Sequence, residues 1–185
     1  THALEALAST RANYVSDILA TQSAIGIMET LPIAYENGAD MHAREIMLQA
    51  SMVAGMAFTN VSLGIVHSMA HTLGGMFHVA HGLADAILLP YIIRYNSTDA
   101  KAKEVYDTFA KKVGAENLYE AVEKLNKRLN IPSCLQEVIP DEAAFVEKLD
   151  EMAALAKADG CTKTNPIIPE LEEFKELFMK AYRGE

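Results

Sequence analysis

The protein has 185 residues, enough for one domain with a sizeable core. Apolar residues make up 50% of the chain and charged residues 22%, a balance typical of globular rather than disordered proteins. The formal net charge of −9 repels phosphate backbones and argues against nucleic-acid binding. Charged or polar side chains interrupt every long apolar run, so we expect no membrane-spanning segment and no membrane partner.

Cysteine usage and the first residues indicate the compartment. Only Cys134 and Cys161 occur, too few for a disulfide framework, which favours a reducing cytoplasm. The chain opens without a basic segment leading into an apolar run, so no secretory signal is expected. Because it begins with Thr1 rather than Met, we expect it to start inside a longer protein.

Helical spacing dominates the chain from beginning to end. Apolar residues repeat at helical intervals over 17–35, Asn37-Gly38 supplies a stop, and Asp40 is placed to cap the next helix. Glycines at 55, 64, 74 and 75 then interrupt an apolar stretch, which indicates closely packed helices or breaks beside a site. Four amphipathic helices follow, over 99–113, 116–129, 141–158 and 169–181. Alternating patterns typical of strands are absent, so the prediction is all-α, a bundle of about seven to nine helices.

Charge is distributed unevenly between the two halves. Residues 1–97 carry 10 charged side chains and residues 98–185 carry 31, and seven of the nine methionines lie between Met28 and Met76. This pattern predicts that the first half is the buried half, with Met filling gaps between helices. The Met-rich, apolar side chains of the first half could instead form an oligomer interface, and the sequence leaves both interpretations open.

Four of the six histidines fall within residues 67–81. His67 and His71 are four residues apart, so on a helix both imidazoles lie on one face. Gly74-Gly75 is expected to let the chain bend and return His81 towards that face. Imidazole nitrogens that converge in this way are the ligands that borderline divalent cations prefer. The cluster therefore favours a metal site over a set of hydrogen-bonded core histidines.

The remaining histidines have simpler interpretations. His42 stands beside Arg44 and Glu45 and is expected on the solvated surface. His78 is the weakest member of the cluster, because its spacing does not require it to share a face with His67.

The histidine-rich segment resembles the signature of the iron-containing (group III) alcohol dehydrogenases, in which G-x-x-H-x-x-A-H-x-L-G leads into H-G-x-x-(N/D)-A-x-L-L-P. The matching residues are Gly64, His67, Ala70, His71, Leu73, Gly74, His81, Gly82, Ala86, Leu88, Leu89 and Pro90. Residues 1–6 resemble the end of the family motif D-x-x-T-H-A-x-E-A, and residues 159–166 resemble its closing motif. The sequences around His78 and at residues 94–96 are also similar, more weakly, to the alcohol dehydrogenase half of bifunctional aldehyde-alcohol dehydrogenases.

The resemblance implies a two-domain enzyme with a dehydroquinate synthase-like fold, in which residues 1–185 form the helical, metal-binding C-terminal domain. Carried over by motif, the metal ligands are His2, His67 and His81. His71 matches the non-ligand active-site histidine near the substrate and the nicotinamide. The family's fourth ligand is an Asp four residues before the first His, and this sequence does not contain it.

The implied reaction is NAD- or NADP-dependent interconversion of a small primary alcohol and an aldehyde, with Fe(II) as the metal and Zn(II) as a possible substitute. The ten glycines form no phosphate-binding loop, so we expect the nucleotide-binding domain upstream and this chain alone to be inactive. A homo-oligomer is expected. Two other interpretations remain: a stand-alone helical metal-binding module, and an interaction domain whose histidines only satisfy a core network.

Overall fold

The computed structural model describes all of residues 1–185, and it is helical throughout with no strand. There are nine α-helices: α1 (His2–Ala8), α2 (Tyr14–Glu36), α3 (Met41–Val61), α4 (Ile65–Phe77), α5 (His81–Asn96), α6 (Ala100–Lys112), α7 (Leu118–Arg128), α8 (Glu142–Ala158) and α9 (Leu171–Arg183). Two short 3-10 helices, Leu135–Glu137 and Gly160–Thr164, precede α8 and α9. The all-α prediction and its helix number are confirmed.

Helices α2 and α3 form a long antiparallel hairpin. Asn13 caps α2 by accepting the backbone N–H groups of Val15 and Ser16, and the Asp40 side chain accepts Ala43 N–H, which confirms its predicted capping role. Small residues line the contact between the two helices, where Ser23 Oγ donates to the carbonyl of Ala50 at 2.7 Å. The helices therefore pack closely and leave their larger side chains on the outer face.

The centre of the molecule is built from α4 and α5, with α8 and α9 on one side. The fully buried large side chains of α4 and α5 are Ile65, Met69, Leu73, Ile87, Leu88 and Ile92. Phe145 of α8 stacks on Tyr182 of α9 with ring centroids 4.2 Å apart. This core holds α4 and α5 rigidly, and both helices contribute histidines to the site described below.

A sharp bend separates α3 from α4. Ser62, with φ of 65°, leads the chain into Leu63 and Gly64, and the two helix axes meet at 106°. The bend directs the amino end of α4 towards α1. No single helix is long and apolar enough to cross a membrane, and only the bent α3–α4 pair reaches the required length and composition jointly.

The reversal between α4 and α5 differs from the sequence prediction. Gly74 and Gly75 do not bend the chain, because α4 continues through them to Phe77. His78 makes the turn instead, with φ of 55° and ψ of 26° in the left-handed region. His81 then begins α5 and returns to the α4 face, so the expected position of His81 is correct although the predicted hinge is wrong.

Burial in the first half is also less uniform than predicted. Helices α1, α4 and α5 are mostly buried, but the outer face of the α2–α3 hairpin exposes large apolar side chains. Met41, Met52 and Met56 are among them, each at least half exposed, so these three do not fill the core. Met69 is fully buried, and Met28 and Met76 pack against the core, so the predicted role of Met holds for these three.

Candidate metal centre

Three distant segments meet at the amino end of α4. Glu5 Oε1 accepts Val66 N–H at 2.8 Å, and Asn165 Oδ1 accepts Ile65 N–H at 3.2 Å. These carboxylate and amide oxygens satisfy helix N–H groups that have no partner within the helix. A Cβ at Gly64 would lie 2.6 Å from Asn165 Oδ1 and 2.8 Å from Glu5 Oε1, so only glycine leaves room for both oxygens. The opening, central and closing motifs of the sequence therefore fix one helix end together.

The second oxygen of Glu5 sets the orientation of His67. Glu5 Oε2 lies 2.5 Å from His67 Nδ1, and both side chains are almost fully buried. Burial lowers the pKa of His67, but the hydrogen bond and the charge of Glu5 outweigh it and leave that pKa above its ordinary value. In the neutral imidazole, Nδ1 donates to the carboxylate and the lone pair is therefore on Nε2. Nε2 is buried and has no hydrogen-bond partner.

Asp85 and His81 face this unpartnered nitrogen. Asp85 Oδ2 lies 3.5 Å from His67 Nε2 and 3.3 Å from His81 Nε2, and the three donor atoms are all within 4.8 Å of one another. His81 and Asp85 are four residues apart on α5 and so share a helix face. Burial raises the pKa of Asp85, while the two histidines act to lower it. Its second oxygen, Oδ1, is buried without a partner.

His2 borders the cluster from α1. Its ring stacks on His67 with centroids 4.7 Å apart, and the Phe58 ring packs against it at a tilt with centroids 4.5 Å apart. Burial, followed by the neighbouring positive groups, lowers its pKa to about 4. His2 is therefore neutral near pH 7 and available as a ligand, although its nitrogens lie outside the compact group of three donors.

His71 lies on the open side of the cluster. Its ring stacks on His81 with centroids 5.4 Å apart, and its Nδ1 lies 2.8 Å from Asp159 Oδ2. The side chain is 46% exposed, so it connects the cluster with solvent. Burial raises the pKa of Asp159, but hydrogen bonds from the Cys161 N–H and from His71 leave it below the ordinary value. Asp159 therefore stays ionised and holds a proton on His71 Nδ1.

The structure brings together the four histidines that the sequence predicts as site residues: His2, His67, His71 and His81. His42 and His78 are exposed and lie outside the cluster. The two cysteines are free, and burial, ahead of the Asp159 charge, raises the pKa of the Cys161 thiol to about 12. A thiol with that pKa stays protonated near neutral pH.

Sequence reasoning missed three carboxylates: Glu5, Asp85 and Asp159. The spacing of four residues between His81 and Asp85 was an available signal, since it puts both side chains on one helix face. Glu5 and Asp159 lie within the quoted motifs, but their partners are 62 and 88 residues away, and no local pattern shows such pairings.

The donor set fits a divalent cation. The buried Nε2 of His67 and the buried Oδ1 of Asp85 have no protein partner, although buried polar atoms are normally hydrogen-bonded. Imidazole nitrogens with a carboxylate oxygen are ligands for Fe(II), Zn(II), Co(II) or Mn(II). Glu5 holds the His67 imidazole in the way that an outer hydrogen-bond partner would orient a metal ligand. Fold and site together define a helical domain with a buried histidine–carboxylate cluster whose donor atoms fit a divalent cation.

Comparison with known proteins identifies the family. The profile described as "Fe-containing alcohol dehydrogenase family, C-terminal" matches residues 1–182. The chain therefore belongs to the iron-containing alcohol dehydrogenases and corresponds to their C-terminal domain, as the sequence resemblance indicated.

A butanol dehydrogenase and an aldehyde-alcohol dehydrogenase both match along the whole chain. An NADPH-dependent butanol dehydrogenase from Clostridium saccharobutylicum is 40% identical over 193 residues, covering 100% of this chain and 49% of the relative. An aldehyde-alcohol dehydrogenase from Streptococcus pneumoniae is 38% identical over 205 residues, covering 100% of this chain and 23% of the relative. The iron-containing alcohol dehydrogenase structure from Thermococcus thioreducens superimposes with a TM-score of 0.93 at 36% identity, covering 100% of this chain and 48% of that one. The chain thus spans about half, or about a quarter, of the length of these relatives.

Proposed function

We propose that residues 1–185 are the metal-binding catalytic domain of an NAD(P)-dependent alcohol dehydrogenase that interconverts a small primary alcohol and an aldehyde. The observation that carries this proposal is His67 Nε2, which is buried without a partner and surrounded by the rings of His2, His71 and His81. The family relationship supplies the reaction class, and the similarity to a butanol dehydrogenase supports a small alcohol as substrate.

His67, His81 and His2 would hold the metal ion, with Fe(II) as the expected metal and Zn(II) as an alternative of similar ligand preference. When bound, the ion supplies a Lewis acid that polarises the substrate C–O bond and stabilises negative charge on oxygen. Glu5 would accept the proton-bearing Nδ1 of His67 in a hydrogen bond, so that Nε2 presents its lone pair to the site. The apolar core behind α4 and α5 keeps water away from the inner side of the cluster.

His71 would move the proton of the alcohol. Asp159 holds the proton on Nδ1, which leaves the lone pair on Nε2 to accept a proton from the substrate hydroxyl. Because the ring is about half exposed, the proton then has a route to solvent. In the reducing direction the same atom returns a proton to the oxygen. An imidazole suits this exchange, because each of its ring nitrogens can either donate or accept a proton.

The nicotinamide cofactor, NAD or NADP, would be bound mainly by residues outside this chain. Two facts support this division: the ten glycines form no phosphate loop, and the chain spans about half the length of a single-function relative. We propose that residues 1–185 are the helical half of a two-domain cytoplasmic enzyme, inactive when isolated, and that the intact protein is a homo-oligomer.

Histidine variants of the full-length protein test this proposal. His67→Ala and His81→Ala should each lose bound metal and alcohol oxidation together, because each removes a ligand. His71→Ala should keep the metal and lower kcat about 10²–10⁴-fold, the usual contribution of general acid–base catalysis. His42→Ala is the matched control, since His42 is exposed on α3.

Metal content and turnover, measured on the same samples, separate the outcomes. Release of metal by His71→Ala as readily as by His67→Ala would contradict the assigned roles. Full activity with an empty site would contradict the proposal and return the histidines to a structural network.

A further inference from the structure

We infer that Asp85 is itself a ligand of the metal ion and supplies an anionic donor from within α5. The inference rests on the metal centre proposed above and adds a carboxylate to its three histidines. Asp85 follows His81 by four residues, so one helix face presents both donors at the same point.

The distances fit direct coordination. An ion about 2.0–2.2 Å from each of its nitrogen and oxygen ligands, in tetrahedral geometry, separates neighbouring donors by about 3.3–3.6 Å. Asp85 Oδ2 lies 3.5 Å from His67 Nε2 and 3.3 Å from His81 Nε2. Both separations match the edges of such a tetrahedron, and His67 Nε2 has no hydrogen-bond partner in the protein.

The surroundings of Asp85 offer no other full explanation. Its side chain is 9% exposed, yet Oδ1 accepts no hydrogen bond from any protein group. A buried carboxylate that only balanced charge would be costly unless protein donors satisfied its oxygens. Glu5 shows the contrast, since both of its oxygens accept hydrogen bonds. Asp85 therefore lies with Oδ2 between two histidines and Oδ1 unpaired, as expected of a metal ligand.

Co(II) binding to the 185-residue chain tests the inference without an activity assay. Isothermal titration compares the unmodified chain with Asp85→Asn, which keeps the side-chain shape and removes the charge. Asp17→Asn, an exposed change on α2, is the matched control. We expect one Co(II) per chain for the unmodified protein and the control, and an affinity at least about tenfold lower for Asp85→Asn.

Asp85→Cys distinguishes a direct ligand from a nearby charge. A thiolate bound to Co(II) gives an intense near-ultraviolet charge-transfer band that imidazole and carboxylate ligands do not give. The unmodified chain carries Cys134 and Cys161 as well, so only a band specific to Asp85→Cys reports on this position. We expect that band to appear in proportion to bound metal.

Each outcome has one meaning. Weaker binding by Asp85→Asn together with the band in Asp85→Cys supports the inference. Unchanged affinity in Asp85→Asn, or metal binding by Asp85→Cys without the band, overturns it and leaves the histidine centre standing if His67→Ala still abolishes binding. No Co(II) uptake by the unmodified chain overturns the inference and the proposed metal centre together.

Discussion

The α2–α3 hairpin and the α4–α5 pair have similar compositions but different environments. Both are rich in apolar residues and poor in charge, and α4 and α5 contain only Asp85 and Arg94 as charged side chains. Yet α4 and α5 are buried at the centre of the core, whereas the hairpin leaves Leu48 and Met41 each 74% exposed.

The two regions differ in how many polar contacts tie them to residues far away in the sequence. Helix α4 is fixed at its start by Glu5 and Asn165, which join it to both ends of the chain. Across the hairpin the helices make one such polar contact, between Ser23 and Ala50. Apolar composition therefore indicates that a segment is buried against something. The polar contacts show which segment is buried within this chain.

The largest expected effect is on the free energy of unfolding, and adding one methyl group to each region tests it. Gly64→Ala should lower the free energy of unfolding by about 2–3 kcal/mol, because its Cβ would displace the Glu5 and Asn165 oxygens from the start of α4. Gly55→Ala, in the interior of α3, meets no atom within 4 Å and should raise it by about 1 kcal/mol. Urea unfolding followed by circular dichroism measures both, and destabilisation of equal size by both variants would contradict the comparison.

A smaller effect is expected from pH in the metal-free chain. The pKa of His2 is lowered from 6.5 to about 4, so between these values the unfolded chain binds a proton that the folded chain does not. His2 should therefore contribute a loss of stability as the pH drops from 6.5 to 4. Because His2 is only partly buried, we expect a loss of about 1–2 kcal/mol rather than the full linkage value.

Unfolding in urea with a chelator at several pH values checks this expectation. His2→Gln should remove that part of the acid sensitivity, whereas His42→Gln, an exposed change on α3, should not. Identical pH profiles for the unmodified chain and His2→Gln would show that His2 does not carry the effect.

The smallest effect on folding is expected at the hairpin surface. The exposed apolar face should make the 185-residue chain self-associate, and Leu48→Glu or Met52→Glu should disperse it by placing a charge on that face. The free energy of unfolding should change by less than about 0.5 kcal/mol, since both side chains are mainly in solvent. Sedimentation at several concentrations measures association, and a strictly monomeric unmodified chain at high concentration would refute the prediction.

The sequence predicted several features whose signal is local, although Gly74-Gly75 wrongly predicted a hinge. Helical spacing and the Asp40 cap predicted the elements, and the four-residue interval between His67 and His71 predicted a shared helix face. The left-handed turn at His78 was missed because glycine, not histidine, is the usual residue there. The pairs Glu5–His67 and His71–Asp159 could not be predicted, because tertiary packing alone brings those residues together.

Diffraction at the zinc absorption edge, from crystals of the chain loaded with Zn(II), tests the central claim most directly. The account predicts one strong anomalous peak between α4 and α5, within ligand distance of His67 Nε2 and His81 Nε2. Peaks confined to the protein surface, or loaded crystals with no peak at these two nitrogens, would contradict it.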